Sequence, residues 1–159
     1  MAGIHKTIEY DAPIARVWTA LTDPAELAMW LMPNDFEPQV GHRFQFRSPP
    51  APGFDGIVDC EVTIVESPHR LAYTWAGGGI DTLVTWTLDE LSTDRTRLTL
   101  AHTGFDRWKG LPIRTLLSIG WKRKLLPVTL RELVESPAET AKPEAAESQS
   151  AKESPPGTP

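Results

Sequence analysis

The sequence predicts an α+β domain in which a curved sheet of antiparallel strands grips one long C-terminal helix. Three observations support this fold class. One strand-like segment precedes two short helical segments, a series of segments with a two-residue alternation follows, and a long apolar stripe at helical spacing comes last. Consecutive strands joined by short turns pair as an antiparallel meander. The sheet must therefore bury one face against the final helix.

The first strand and two short helices occupy the N-terminal third of the domain. Ile4 to Tyr10 is rich in residues that favour strands, and the following Asp11 and Pro13 provide a cap and a proline suited to a first helical turn. Asp23 and Pro24 repeat this signal before a second helix over Ala25 to Leu31. The first helix has one apolar face, formed by Ile14, Val17, Trp18 and Leu21.

Alternation with a period of two begins after Asn34. Phe44 and Phe46 alternate with polar residues, as in a strand with one wet face. The same pattern then recurs in four further segments, which contain Val58, Cys60, Val62 and Ile64; Leu71, Tyr73 and Trp75; Val84, Trp86 and Leu88; and Leu98, Leu100 and His102. Residues rich in Pro, Gly, Ser and Asp separate these segments, as expected for turns and loops.

The last predicted element is a helix from Ile113 to about Val134. Its apolar stripe includes Leu117, Trp121 and Leu125 at helical spacing. Pro127 lies within the pattern and has no backbone N–H to donate, so we expect a kink or a break near Leu125.

The sequence predicts a domain boundary at residue 135. Residues 136–159 contain five prolines and no aromatic residue, Val, Ile, Leu or Met. Such a segment cannot bury enough apolar area to offset the entropy of ordering. We therefore expect a folded domain over residues 1–135 and a disordered tail over 136–159.

Charge and composition disfavour several classes of partner. The net charge is −5, and both nucleic acids and anionic membranes select clustered Lys and Arg. The chain has no apolar segment long enough for membrane insertion and no apolar leader at its N-terminus. Cys60 is the only cysteine, which rules out an intramolecular disulfide. These features predict a cytoplasmic protein that binds neither nucleic acid nor the membrane interior.

Several spaced motifs resemble one known family, that of activator-of-heat-shock-protein-90-ATPase-like domains. They are Val17-Trp18, Ala20 to Pro24, Trp30-Leu31, Gly41 with Phe44, Leu71 with Tyr73 and Trp75, Thr96 to Leu100, Gly104-Phe105, and Gly120-Trp121. This family belongs to the START-like, or SRPBCC, superfamily. The resemblance implies a helix-grip fold with about seven strands around the C-terminal helix, and often a hydrophobic cavity between them.

The inward-facing residues predict an apolar ligand site, with a solid aromatic core as the alternative. Ligand pockets are mostly apolar with a few orienting polar groups, but the same bulky side chains also fill cores well. His102 either donates a hydrogen bond to a ligand or is satisfied by a neighbouring protein group. The predicted ligand contacts are Trp30, Phe44, Phe46, Tyr73, Trp75, Val84, Trp86, His102, Phe105, Trp108, Leu117 and Trp121.

The sequence offers little support for a catalytic, metal or cofactor site. No carboxylate at a readable spacing orients His102, and no activated Ser or Cys nucleophile stands out. The four histidines lie far apart without metal-binding spacing. Cys60, between Asp59 and Glu61, reads as a small buried hydrophobe. We therefore predict no cofactor and no metal.

Three functions follow as hypotheses. The first is a non-catalytic binding or carrier protein for a small hydrophobic molecule, either a lipid or an aromatic, polyketide-like compound. The second, implied by the resemblance, is a co-chaperone that activates the ATPase of heat-shock protein 90. The third is a cyclase or dehydratase that uses the same cavity, a type of enzyme that the superfamily also includes.

Overall fold

One antiparallel sheet and a C-terminal helix form the framework of the domain. The structure is a computed structural model that describes residues 3–50, 55–77, 80–104, 117 and 119–135. The strand order in the sheet is β1-β6-β5-β4-β3-β2, and all neighbouring strands are antiparallel. Two short helices follow the first strand. The elements are β1 Gly3–Tyr10, α1 Ile14–Thr22, α2 Pro24–Trp30, β2 Arg43–Arg47, β3 Ile57–Glu66, β4 Arg70–Gly77, β5 Ile80–Ser92 and β6 Arg95–Thr103.

The predicted fold class is confirmed, with one difference in the strand count. The antiparallel sheet, the two helices after β1 and the C-terminal helix are all present. The described part of the chain forms six strands, whereas the resemblance implied about seven. Each of these six strands corresponds to one strand-like segment in the sequence.

Strand register collects the apolar residues on one face of the sheet. Val84 lies opposite Tyr73 on one side and opposite His102 on the other. His102 in turn lies opposite Ile4 on β1, and all four residues are at most 1% exposed. Residues that pair directly across antiparallel strands share a face. This concave face is the one that the C-terminal helix covers.

A β-bulge in β3 breaks the alternation that the sequence predicts. The register shifts between Val62 and Ile64, so Val62 pairs with Tyr73 but Ile64 pairs with Ala72. An extra residue in one strand moves the following side chain to the other face. Ile64 therefore lies on the outer face, and Val65 takes its place beside the core.

The C-terminal helix continues through Pro127, so of the predicted kink or break near Leu125 the break is wrong. Gly120–Leu130 is wound as a π-helix, with α3 following over Arg131–Glu135. A π-helix uses i→i+5 hydrogen bonds and is rarely longer than one turn. The wider winding accommodates a residue that lacks a backbone donor without ending the helix.

Side chains from three places satisfy carbonyl groups around Pro127. The Tyr10 hydroxyl donates to the Leu126 carbonyl over 2.7 Å, which fastens β1 to the helix. Arg131 Nε donates to the Pro127 carbonyl over 3.3 Å. The Thr129 hydroxyl lies 2.8 Å from the Leu125 carbonyl oxygen. Buried carbonyls need such partners, so these contacts support the irregular winding.

Arg16 on α1 connects α2 and α3. Its Nη1 donates to Glu26 of α2 over 2.6 Å, and its Nη2 donates to the Leu133 carbonyl of α3 over 3.2 Å.

The predicted tail over 136–159 and the predicted helical residues 113–116 lie outside the described residues. Within the described ranges, no helix is long and apolar enough to cross a membrane.

Candidate functional site

Most residues predicted to contact a ligand lie side by side on the concave face. Leu117 is partly buried, whereas Phe105 and Trp108 lie outside the described residues. The other nine are at most 3% exposed: Trp30, Phe44, Phe46, Tyr73, Trp75, Val84, Trp86, His102 and Trp121. Their convergence follows from strand alternation, but their burial shows that they contact mainly one another.

The aromatic rings fill the centre of the domain. Trp86 meets Trp121 edge to face at a centroid distance of 5.4 Å and Trp30 in the same manner at 6.0 Å. Phe44 and Tyr73 form a further edge-to-face pair at 5.3 Å. Such pairs are favourable contacts and leave little space between rings. The deep part of the predicted cavity is therefore packed core.

A buried hydrogen-bond relay connects the C-terminal helix to the sheet. Trp121 Nε1 donates to His102 Nδ1 over 3.2 Å, and His102 Nε2 lies 2.8 Å from the Thr82 hydroxyl. That hydroxyl donates its proton to the Trp75 carbonyl over 2.8 Å, so it accepts from His102. An indole N–H can only donate. Together these directions assign a neutral imidazole with its proton on Nε2.

Burial keeps His102 neutral. Desolvation lowers the pKa of His102 from 6.5 to about 3, because the interior disfavours the imidazolium. A second proton, on Nδ1, would point at the Trp121 N–H, so that two donors would face each other. His102 is thus satisfied by protein groups, the alternative to ligand contact that the sequence left open.

Tyr73 is held in a similar way. Its hydroxyl accepts a hydrogen bond from Trp86 Nε1 over 3.0 Å, and its side chain is fully buried. Desolvation raises the pKa of the Tyr73 hydroxyl well above its ordinary value of 10.0. Two of the predicted ligand contacts, Tyr73 and His102, therefore have their polar groups engaged within the core.

An open pocket lies beside this core, at the end of the sheet where β4 meets β5. Its volume is about 170 Å³, and it opens to solvent on one side. Four aliphatic or thioether side chains, one indole, one hydroxyl and a glycine form the described lining. These residues are Met32, Ser48, Val58, Trp75, Gly77, Ile80 and Leu117.

Trp75 links the pocket to the packed core. The Trp75 indole packs against three other rings. The centroid distances are 5.5 Å to Phe46, 5.3 Å to His102 and 5.7 Å to Trp121. Its carbonyl accepts from Thr82, the end of the relay described above. These contacts fix the indole in place, which gives the pocket a rigid aromatic wall.

Of the predicted contacts that the structure describes, Trp75 and Leu117 line this pocket. Met32, Gly77 and Ile80 were not predicted because they lie in or next to connecting segments, where alternation gives no guide. Val58 was assigned to the correct face but not to the site. Ser48 continues the alternation of Phe44 and Phe46 beyond the end of β2, and this signal was available in the sequence.

A second, polar cleft runs along the β2–β3 edge. It has a volume of about 370 Å³ and is lined in part by Asp35, Arg43, Gln45 and Asp59. Gln45 forms a hydrogen bond with each of the two carboxylates. Its backbone N–H donates to Asp35, and its side-chain amide donates to Asp59. Among the described residues, no group of acidic, His or Cys side chains has the arrangement of a metal site. The two carboxylates are therefore linked to each other through Gln45.

Cys60 has no features of a reactive thiol. It is 4% exposed, and burial raises the pKa of its thiol, with the Asp59 carboxylate acting in the same direction. A reactive cysteine needs the opposite electrostatic environment. Cys60 behaves as the small buried hydrophobe that its sequence position predicts.

Comparison with known proteins places this geometry in a family. The family model described as Activator of Hsp90 ATPase homolog 1-like protein matches residues 11–125. No curated protein sequence matches the chain. The solved structure of protein BH1534 from Bacillus halodurans is 32% identical with a TM-score of 0.69, and the match covers 85% of this chain and 98% of that one.

Two further solved structures have the same fold. Protein MLL2253 from Mesorhizobium loti is 32% identical with a TM-score of 0.63, covering 76% of this chain and 86% of that one. The Aha1 dimer from Colwellia psychrerythraea is 20% identical with a TM-score of 0.70, covering 86% of this chain and 98% of that one. Because the family model matches most of the chain, the chain belongs to the Activator of Hsp90 ATPase homolog 1-like family.

Proposed function

We propose that this protein is a non-catalytic binding or carrier protein for a small apolar molecule. The observation that carries the proposal is the open pocket of about 170 Å³ with Trp75 as its fixed aromatic wall. Small-molecule sites are typically concave and mostly apolar, with a few polar groups. Of the residues expected from the sequence to contact the ligand, Trp75 and Leu117 are the ones retained in this proposal.

The pocket volume limits the size of the ligand. An engineered protein cavity of about 150 Å³ holds benzene, whereas sites for drug-sized molecules span roughly 300–1,000 Å³. A pocket of about 170 Å³ therefore suits one aromatic ring or the end of an alkyl chain. A larger lipid or polyketide would have to place most of its length outside the described pocket.

The chemistry of the lining favours binding over turnover. Its described residues include no ionisable side chain. His102 and Tyr73, the groups that a cyclase or dehydratase would use, donate to or accept from core partners. General acid–base catalysis requires such a group within hydrogen-bond reach of the substrate. This arrangement supports a carrier more than an enzyme.

Toluene is a suitable first probe because it fits a pocket of this size. We expect saturable shifts of the Trp75 indole N–H signal in two-dimensional NMR spectra, with smaller shifts of the Trp18 signal on α1. Val58→Phe adds a ring to the pocket wall and should abolish the shifts. Val40→Phe is the matched control, since Val40 is 61% exposed and lies outside the lining.

The outcomes separate clearly. A urea unfolding curve establishes that each variant is folded before binding is compared. Absence of any saturable Trp75 shift in the wild-type protein would refute the carrier proposal. Equal binding by wild type and a folded Val58→Phe variant would show that toluene binds elsewhere.

A co-chaperone role is a second candidate, favoured by the family and by exposed apolar side chains near the helices. Met29 on α2 is 62% exposed and Val128 on the π-helical segment is 43% exposed. Exposed apolar residues are candidates for protein contacts. If this role holds, saturating protein should raise the ATPase rate of heat-shock protein 90, and Met29→Lys should reduce that effect. An unchanged rate at saturation would contradict it.

A further inference from the structure

Two side chains in the described lining can form hydrogen bonds, the hydroxyl of Ser48 and the indole N–H of Trp75. An indole N–H can only donate, so Ser48 provides the side chain of the described lining that can both donate and accept. A few polar groups in an apolar pocket fix ligand orientation and specificity. The position of Ser48 therefore bears on which chemical class of ligand fits.

The backbone of Ser48 is held firmly by the facing end of the loop. Its N–H donates to the Gly56 carbonyl over 2.7 Å. Gly56 has a φ of +89°, and a Cβ at this position would lie 2.2 Å from the Ser48 carbonyl oxygen. Only glycine allows this conformation and this close approach. The hydroxyl is thus carried on a fixed piece of backbone at the rim of the pocket.

The Ser48 hydroxyl retains hydrogen-bonding capacity. Its contact in the structure is with the carbonyl of the adjacent Pro49 at 3.4 Å, longer than the roughly 2.5–3.0 Å typical of hydrogen bonds between oxygens. Ser48 follows Phe46 by two positions, so strand alternation directs its side chain to the concave face. A ligand oxygen in the pocket would offer a shorter and better-aligned partner.

The lining also selects against charge. Its described residues carry no cation or anion, and transferring an unpaired ion from water into such a site is costly. A neutral ligand with one hydrogen-bonding group has no such cost. Its ring would contact Trp75 and the aliphatic wall formed by Val58 and Ile80, while its polar group would meet Ser48.

We propose that the pocket selects neutral single-ring compounds that carry one hydroxyl or carbonyl group, and that Ser48 is the residue that recognises this group. This inference rests on the proposed carrier function and narrows its ligand to the phenol-like class. Ser48 acts as a specificity-determining residue, and Trp75 supplies contact area.

The test compares two probes that differ by one hydroxyl, toluene and p-cresol, with wild type and Ser48→Ala. Loss of one hydrogen bond of ordinary strength should weaken p-cresol binding about fivefold while leaving toluene affinity unchanged. Ser92→Ala is the matched control, because Ser92 is exposed at the far end of β5. Dissociation constants come from the Trp75 indole shift.

The results distinguish the two proposals. If neither probe binds the wild-type protein, the carrier function itself fails. If both probes bind and Ser48→Ala weakens them equally or not at all, the pocket stands but the role of Ser48 is overturned. Selective weakening of p-cresol in Ser48→Ala, with no change in Ser92→Ala, supports the inference.

Discussion

The buried His102 predicts a specific loss of stability in mild acid. Its pKa is about 3 in the folded protein and 6.5 in the unfolded chain. Between these values the unfolded chain takes up a proton that the folded protein does not. Stability is therefore fully present above pH 6.5 and falls as the pH decreases towards 3.

The size of this effect follows from the two pKa values. Between pH 7 and pH 5 the linkage relation gives a decrease of about 2 kcal/mol in the free energy of unfolding. Near pH 5 the slope of the free energy of unfolding against pH approaches the value for uptake of one proton on unfolding. No other described group with a resolved pKa shift titrates in this range, since Glu9 titrates at lower pH and Tyr73 at much higher pH.

Urea unfolding at pH 7, 6 and 5, at constant ionic strength, measures the slope. His102→Leu should remove most of the pH dependence, although it also leaves the Trp121 N–H without its acceptor and lowers stability at pH 7. His5→Gln is the control, because His5 is exposed on β1 and should leave the slope unchanged.

Histidine NMR provides an independent check on the wild-type protein. The ring nitrogens of His102 should show the neutral form with the proton on Nε2 at pH 5. A His102 that titrates near pH 6.5, or a slope that persists in His102→Leu, would refute this account of the relay.

Three further changes test the core and the loop by urea unfolding. Tyr73→Phe leaves the Trp86 N–H without an acceptor and should cost about 1–3 kcal/mol; a neutral effect would mean that this bond contributes little. Gly56→Ala forces a Cβ against the Ser48 carbonyl and should lower the free energy of unfolding by about 1–3 kcal/mol or more. It should also weaken toluene binding. A variant with the stability and toluene affinity of the wild-type protein would contradict the loop geometry. Glu26→Gln removes the charge paired with the largely buried Arg16 and should lower the free energy of unfolding by about 2 kcal/mol. Because salt screens the ion pair, high salt should destabilise the wild-type protein more than the variant. If high salt destabilises the variant more, this pair is not the cause.

Much of the fold was predictable because strand alternation reports which side chains share a face. The alternation placed Tyr73, Trp86 and His102 in the interior, and all three are fully buried. It failed at Ile64, where the bulge adds a residue to β3. Sequence periodicity has no marker for such an insertion, since Thr63 and Ile64 suit either face.

The site was less predictable than the core. Alternation identifies inward residues but does not distinguish those packed against other side chains from those that border open space. Trp75 and Trp86 look alike in the sequence, yet Trp86 is enclosed by Trp30 and Trp121 while Trp75 also lines the pocket. That difference depends on the position of the C-terminal helix, which local sequence does not specify.

The π-helical winding bears on where the chain length can change. Trp121 and Leu126 are both buried although they lie five positions apart, and Leu130 follows after four. Deleting the exposed Lys122 would place Trp121 and the next buried leucine four positions apart, which is the spacing of a regular α-helix. A one-residue deletion here would therefore tighten the turn between Trp121 and Leu126, before Pro127, while keeping both side chains on the sheet. In most helices a deletion would instead rotate the apolar face away, so this turn is unusually able to lose a residue without releasing Trp121 from His102.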